Sequence, residues 1–375
     1  MALRALLIVS TLDGSGPGRV MAVLAGGLLE AGAQPLLLST HGPSDSSLIS
    51  ETRSAGVTVK NLSMKSIGDA RGAFRLMSLL RSWRPNVVHT RTIRADLLGR
   101  IGAAYGVPVI NNIVNIYPDD CLARQGPVLG RAVMGAARAT NSATRLFIAN
   151  AHAVAANTVE AFGVPADCVR VVHDGLPLDG WRRPARADLR SVGVGPSATV
   201  CLTVARLHSQ KGLEDLVVAA AKVVPNRPEV HFVIAGDGPE RPSLEERIRS
   251  YGLESHVHLL GNREDVPNLM ARADCFVLPS LFEGLPSAII EAMAAGRAVI
   301  ATAIAGVPEL VEDGITGWLV PPAAPEALAE RLLDALSRPL ESMGKMGQRR
   351  AEENFSADIM TKHFLGVYDE VTRDA

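Results

Sequence analysis

The sequence predicts an α/β protein made of two Rossmann-like domains, each a doubly wound parallel sheet. Three observations lead there. At 375 residues the chain is too long for one ordinary core. Short apolar runs alternate with helix-like segments, and after a break the alternation begins again. The runs are continuous rather than period-two, which fits strands covered on both faces.

In the front half, strands are read over 5–9, 35–39, 57–62, 86–90, 108–114, 146–150 and 169–173. Helical patterns lie between them, over 19–31, 47–55, 71–81, 93–105, 122–140 and 153–162. Residues 177–197, with Pro177, Gly180, Pro184, Gly193, Gly195 and Pro196, have no steady period and read as a linker. The second series has strands over 200–205, 230–235, 257–260, 275–278, 299–302 and 318–320, with helices over 213–223, 241–251, 266–272, 288–295 and 326–336. The domains are therefore 1–176 and 198–356. Two tail helices from Met343 bring no further strand, and the last, about 357–375, is expected to pack back on the first domain.

Composition bounds the function. The chain is 47% hydrophobic and 21% charged with a net charge of -1, as in a soluble globular protein. Only 15 aromatic residues and near neutrality argue against a nucleic-acid partner. Charge is uneven, however: residues 1–175 hold 17 Lys and Arg against 11 Asp and Glu, and the remainder hold 21 against 28. The basic front half suits an anionic acceptor or an anionic membrane surface. Cys121, Cys168, Cys201 and Cys275 have no C-x-x-C spacing and read as small buried hydrophobes. The N-terminal apolar run is too short for a signal, so the expected location is cytoplasmic, including the inner membrane face.

In such sheets ligands bind beyond the C-terminal strand ends. The most informative loop there is 279–291, Pro-Ser-Leu-Phe-Glu-Gly-Leu-Pro-Ser-Ala-Ile-Ile-Glu, between an apolar strand and a helix. Pro286 belongs in a first helical turn, which places Glu283 in the loop and Glu291 in the helix. Between them, Gly284, Leu285, Pro286 and Ser287 form a helix N-terminus, where the free N–H groups of Gly284, Leu285 and Ser287 favour an anion. A carboxylate on each side of an anion cradle suits a nucleotide sugar. The plainer alternative is a loop acid and a solvated helix residue.

Arg206 and Lys211 bracket another turn into a helix, where the dipole disfavours cations unless an anion lies between them. Solvated basic residues are the alternative. Gly236 and Gly261, the latter with Arg263, end the next two strands as further pocket walls. The loop 13–19, containing Gly16, is glycine-rich without being a P-loop, and reads either as a ligand loop or as a tight turn. His89, Arg91 and Arg94 lie at and beyond the fourth strand, where a structural histidine is as compatible as a functional one. Arg124, Arg131, Arg138 and Arg145 recur every seven residues as a basic stripe, either a solvated face or a membrane patch. No D-x-D triplet or metal-spaced His/Cys cluster occurs, so neither metal nor cofactor is called for.

Together these motifs resemble the retaining family 4 glycosyltransferases, most strongly over 204–322. The resemblance rests on Arg206 with Lys211-Gly212, the Gly236-Asp237-Gly238-Pro239 turn, Gly261, the Glu283 and Glu291 pair, and Ala305-Gly306-Val307-Pro308-Glu309. It implies a GT-B fold, two domains facing a cleft, with the first domain for the acceptor and the second for the donor. Catalysis is implied to rest on Glu283, Arg206 and Lys211, and the donor is a UDP-sugar first and a GDP-sugar second. Arg206 and Lys211 would hold the diphosphate, Glu291 the ribose, Glu283 the sugar, and Gly261 and Arg263 the base; Gly16 and Gly236 complete the donor set.

The front half departs from the family pattern. Where members carry two histidines this chain has His89 and then Arg91. Where they carry another, it reads Asn111-Asn112-Ile113-Val114-Asn115, leaving Asn112 and Asn115 as acceptor-side candidates. Rival readings are a nucleotide-sugar epimerase of the same fold and a non-catalytic nucleotide-sugar-binding subunit. The first lacks its extra acids and histidine, and the second would have lost one of Arg206, Lys211, Glu283 and Glu291.

Overall fold

The computed structural model describes residues 2–14, 16–42, 46–66, 68–118, 121–122, 125–182 and 184–373. It divides into two compact units, Met1–Leu176 with Ala357–Ala375, and Pro177–Ser356.

In the first unit the parallel strands are β1 (Arg4–Val9), β2 (Gln34–Ser39), β3 (Thr58–Asn61), β4 (Val87–Arg91), β5 (Val109–Ile113), β6 (Leu146–Ala149) and β7 (Val169–Val171). They lie in the order β3-β2-β1-β4-β5-β6-β7. The crossover helices are α1 (Gly16–Glu30), α2 (Ser47–Ser54), α3 (Ala70–Trp83), α4 (Ile93–Gly99), α5 (Pro127–Ala139) and α6 (His152–Phe162). Strand β1 shows why the apolar runs are continuous. Leu6 and Ile8 enter the core beneath Leu76, Leu79 and Leu80 of α3, while Ala5, Leu7 and Val9 are buried on the other face.

In the second unit β8 (Thr199–Val204), β9 (Val230–Ala235), β10 (Val257–Leu259), β11 (Cys275–Leu278), β12 (Ala298–Thr302) and β13 (Gly317–Val320) lie in the order β10-β9-β8-β11-β12-β13. Its helices are α7 (Leu213–Val223), α8 (Arg241–Ser250), α9 (Val266–Arg272), α10 (Ser287–Ala294), α11 (Val307–Leu310), α12 (Pro325–Leu336) and α13 (Glu341–Asn354). The final helix, α14 (Ala357–Arg373), belongs to the first unit and packs on α1. The approach is close: a Cβ on Gly27 would lie 2.2 Å from Thr361 Oγ1.

Three segments differ from the sequence reading. The helix expected over 93–105 is α4 followed by a 3-10 turn, Arg100–Tyr105. Gly99 and Gly102 press this segment onto β4, where a Cβ would come within 2.1 Å of Thr90 and 2.9 Å of Val88. The helix expected over 122–140 is interrupted at Gly126, which takes φ +78°, and α5 begins at Pro127, where proline suits the first helical turn. Arg124 of the basic stripe lies outside the described residues, as does Ser15 of the first loop. Finally, the 177–197 segment is folded into the second unit. Trp181, Leu189 and Val194 are buried, and Ala187 N–H donates to Asn268 O at 3.0 Å.

Burial in the first unit shifts two titratable groups in opposite directions. Desolvation, aided by the charge of Arg91, pushes His89 down to about 3. Desolvation pushes Asp96 up to about 7, against the hydrogen bond from Thr90 and the charges of Arg100 and Arg91. The raised pKa makes the Asp96 contribution fully favourable below about 4 and lost as pH rises through about 7. Asp96→Asn keeps an acceptor for the Thr90 hydroxyl and removes the titration. Its stability relative to wild type is expected to improve by roughly 4 kcal/mol between pH 3 and pH 8. Denaturant unfolding of both proteins measures this difference, in which the opposing His89 slope cancels; a pH-independent difference would contradict it.

Candidate donor-binding site

The order of the second sheet contains a switch point. From β8 the chain steps outward to β9 and β10, then returns to β11 on the other side of β8. Loops leaving β8 and β11 therefore part at their C-terminal ends, where α/β sheets open a crevice. Here the two loops, 205–212 and 279–286, are laced together below that opening. Leu281 N–H donates to Gln210 O at 2.8 Å, and the Gln210 side-chain amide donates to Phe282 O at 2.9 Å. Gly212, at φ +59°, lies so close that a Cβ would sit 2.0 Å from Pro279 O.

This lacing brings together side chains 72 positions apart. Lys211 Nζ pairs with Glu283 Oε1, and Ser280 Oγ donates to the same oxygen at 2.7 Å. Glu283 is only 8% exposed, so a nearly dry carboxylate is held by a cation and a hydroxyl. Thr302 Oγ1 donates to Ser280 O at 2.5 Å and fixes the residue that orients Glu283. Sequence reasoning gave no role to Ser280, Gln210 or Thr302. Ser280, three positions before Glu283, stood within the motif, whereas the other two act across strands.

Beyond Glu283 the chain enters α10 with Pro286 at the cap and Ser287 first in the helix, which leaves first-turn N–H groups directed outward. Gly306 N–H holds Gly284 O at 3.0 Å. Leu285 and Pro286 are buried, and Glu291, one turn into α10, is 4% exposed; the solvated-helix reading of Glu291 does not apply. Arg206 is exposed at the end of β8 and has no ion pair among the described residues. Gly236 N–H donates to Gly261 O at 2.8 Å, and a Cβ on Gly236 would meet Ala205 O at 2.0 Å, so this wall too rests on a close approach only glycine permits. Arg263 pairs locally with Asp265, its guanidinium donating to the carboxylate at 2.7 and 2.8 Å.

The remaining candidates lie in the first unit. Gly16 opens α1 at an exposed position where a Cβ would meet nothing; the close approach is at Gly18, 2.7 Å from Thr11 O. His89 does not face an opening. It is fully buried, its Nδ1 2.7 Å from Tyr368 OH and its ring 4.9 Å from that of Phe364. Arg91 is likewise consumed internally, in a bidentate pair with Asp174 at 2.8 and 2.6 Å. Asp174 also accepts from Asn150 Nδ2 at 3.0 Å. Asn112 is the register partner of Arg91 and fully buried, with no hydrogen-bond partner on either side-chain atom among the described residues, while Asn115 is half-buried.

Residues 187–353 match the family described as Glycosyl transferases group 1, and residues 14–179 match Glycosyltransferase Family 4. The chain is 30% identical over 295 residues to a UDP-Gal:alpha-D-GlcNAc-diphosphoundecaprenol alpha-1,3-galactosyltransferase of Escherichia coli, covering 76% of this chain and 75% of that one. It is 35% identical over 191 residues to an alpha-D-kanosaminyltransferase of Streptomyces kanamyceticus, covering 50% of this chain and 49% of that protein. Against that relative and a Bacillus anthracis N-acetyl-alpha-D-glucosaminyl L-malate synthase, the match spans about half the relative's length. Among solved structures, Anabaena Alr3699/HepE in complex with UDP superposes with TM-score 0.82 at 19% identity, covering 98% of this chain and 100% of that one. Sucrose-phosphate synthase of Thermosynechococcus elongatus gives 0.83 at 19% identity, covering 99% and 100%. With two parallel-sheet units of this topology, the chain has the GT-B fold and belongs to the family 4 glycosyltransferases.

Proposed function

We propose that the second unit binds a nucleotide-diphosphate sugar, a UDP-sugar before a GDP-sugar, and that the chain transfers the sugar to an acceptor hydroxyl with retention and without a metal. The observation that carries this reading is the Lys211–Glu283–Ser280 node beside the N-terminus of α10, with Arg206 exposed at the neighbouring strand end and without an ion pair among the described residues. A donor entering there replaces the internal ion pair with two external partners: sugar hydroxyls for Glu283 and diphosphate oxygens for Lys211. Arg206 and the first-turn N–H groups of α10 complete the anion site, and Glu291 takes the ribose hydroxyls.

As the bond from the anomeric carbon to the diphosphate oxygen breaks, negative charge grows on the leaving group, where these cations and dipoles stand ready. The acceptor oxygen forms the new bond on the same face and gives its proton to the departing diphosphate. Two cations and a helix N-terminus supply the charge compensation that a metal would otherwise provide, and the sequence lacks a D-x-D triplet.

UDP is favoured because the E. coli relative is named for UDP-Gal and HepE is described with UDP and UDP-glucose. That relative's acceptor is a sugar on a lipid diphosphate, which fits an anionic or membrane-associated acceptor for this basic front half. Among the described residues no helix is long and apolar enough to cross a membrane.

Thermal-shift screening against UDP, GDP, ADP and CMP tests the reading; UDP is expected to stabilise most, and no shift with any nucleotide would sink it. Arg206→Ala and Glu291→Ala are each expected to weaken UDP binding about tenfold or more, as for loss of a charge-assisted hydrogen bond. Unchanged affinity in calorimetry would remove them from the site. Glu283→Ala is expected to lower kcat about a hundredfold with a smaller change in UDP affinity, by analogy with loss of a transition-state contact. Ser280→Ala is expected to lower kcat more than it changes KM, because only the orientation of Glu283 is loosened. A pure KM effect would argue against that role.

A further inference from the structure

Three histidines of the second unit meet on one face of its sheet edge, away from the donor loops. In β10, the edge strand, Val257 and Leu259 pack on the core that holds Phe232 and Ile234 of β9. Side chains alternate along a strand, so His231 of β9, His256 just before β10 and His258 within it share the opposite face. All three are half-buried. His231 and His256 stand at the N-terminal ends of these parallel strands, whereas the donor loops leave C-terminal ends.

The imidazoles are in contact. His231 Nδ1 lies 3.1 Å from His258 Nε2, and the ring centres of His256 and His258 are 5.2 and 5.3 Å from that of His231. His256 Nδ1 donates to Val230 O at 3.1 Å, which leaves its Nε2 with a lone pair. A main-chain bond of this kind is the outer contact that metal-ligating histidines make. Such ligands must also be neutral. Desolvation, with the charges of His231 and His256, pushes His258 down to about 4. Desolvation, then the charges of His256 and Arg272, lowers His231 against a main-chain hydrogen bond at Ser255. Arg272 is itself engaged, donating to Gly195 O at 3.0 Å and Ala198 O at 2.9 Å and facing Asp274 at 3.7 Å.

We propose that His231, His256 and His258 bind one divalent transition-metal ion of the class that imidazole prefers, represented by Zn²⁺. His231 Nδ1 and His258 Nε2 are the first two ligands. Zn–N bonds of about 2.0–2.1 Å to nitrogens at that separation enclose an angle of about 100°, close to tetrahedral. His256 Nε2 closes in as the third ligand, and water takes the fourth position. Hard cations, which require oxygen ligands, are not matched by three imidazoles. The His-x-His pair at 256 and 258 stands in the sequence, but His231, 27 positions before His258, joins it only through the pairing of β9 with β10. The ion thereby ties a short edge strand to its neighbour. The site is separate from the transfer reaction and does not depend on it.

Calorimetric titration of the untagged full chain with ZnCl2, and with MgCl2, near neutral pH tests the proposal. The wild type is expected to bind one Zn²⁺ and no Mg²⁺. His231→Gln, His256→Gln and His258→Gln should each weaken Zn²⁺ binding at least about tenfold, the loss that follows removal even of an outer-shell partner. His363→Gln, exposed on α14 in the other unit, should leave it unchanged. Zn²⁺ should also slow amide hydrogen exchange across β10 in the wild type and not in His258→Gln. An unchanged unfolding midpoint without metal verifies the fold of each variant, and the exchange comparison in the wild type stands whether or not a variant folds. No Zn²⁺ binding, equal binding of Mg²⁺, wild-type affinity in any of the three variants, or β10 exchange indifferent to Zn²⁺ would each overturn the proposal.

Discussion

The absence of a side chain at Gly212 is the constraint on which the proposed donor site depends. Its Cα rests against the carbonyl of Pro279 at a distance no Cβ tolerates, and the loops after β8 and β11 meet there. The hydrogen bonds of Gln210 to both sides of Phe282, through Leu281 N–H and Phe282 O, hold that contact. Lys211 then pairs with Glu283 rather than reaching into solvent. A largely buried ion pair recovers little net stability once desolvation is counted. Its value here lies in placement: a carboxylate and an ammonium, each oriented, stand beside a helix N-terminus where a charged ligand can divide them.

The two units use their buried polar groups differently. In the second unit Glu283 in the loop before α10 and Glu291 one turn into that helix are both buried. In the first, Arg91 and Asp174 neutralise each other, His89 is tied to Tyr368 of the returning α14, and Asp96 sits beneath the Thr90 hydroxyl. Desolvation keeps His89 neutral across the physiological range. The strand-end residues that seemed the natural acceptor wall thus serve the interior of the unit. Asn112, buried with both side-chain atoms unpartnered among the described residues, is the exception.

Much of this was legible in the chain. Strand positions and both sheets followed from continuous apolar runs, because strands covered by helices on each side cannot alternate. The proposed donor residues form a local motif, since Glu283, Pro286 and Glu291 lie within one loop and helix. What escaped was non-local or conformational. The sequence places Arg91 and Asp174 83 residues apart, and neither is marked as the other's partner. The Gly126-Pro127 helix start and the burial of Trp181, Leu189 and Val194 depend on backbone φ and on packing that composition does not encode. The local pairing of Arg263 with Asp265, two residues on, is likewise not marked by any motif.

The central claim is that the second unit grips the diphosphate through Arg206, Lys211 and the N-terminus of α10, with the nucleoside adding less. Calorimetric titration with UDP and with uridine measures this directly. The account predicts a Kd for UDP at least about a hundredfold below that for uridine, as two charge-assisted contacts require. Equal affinities for the two, or binding of uridine alone, would contradict it.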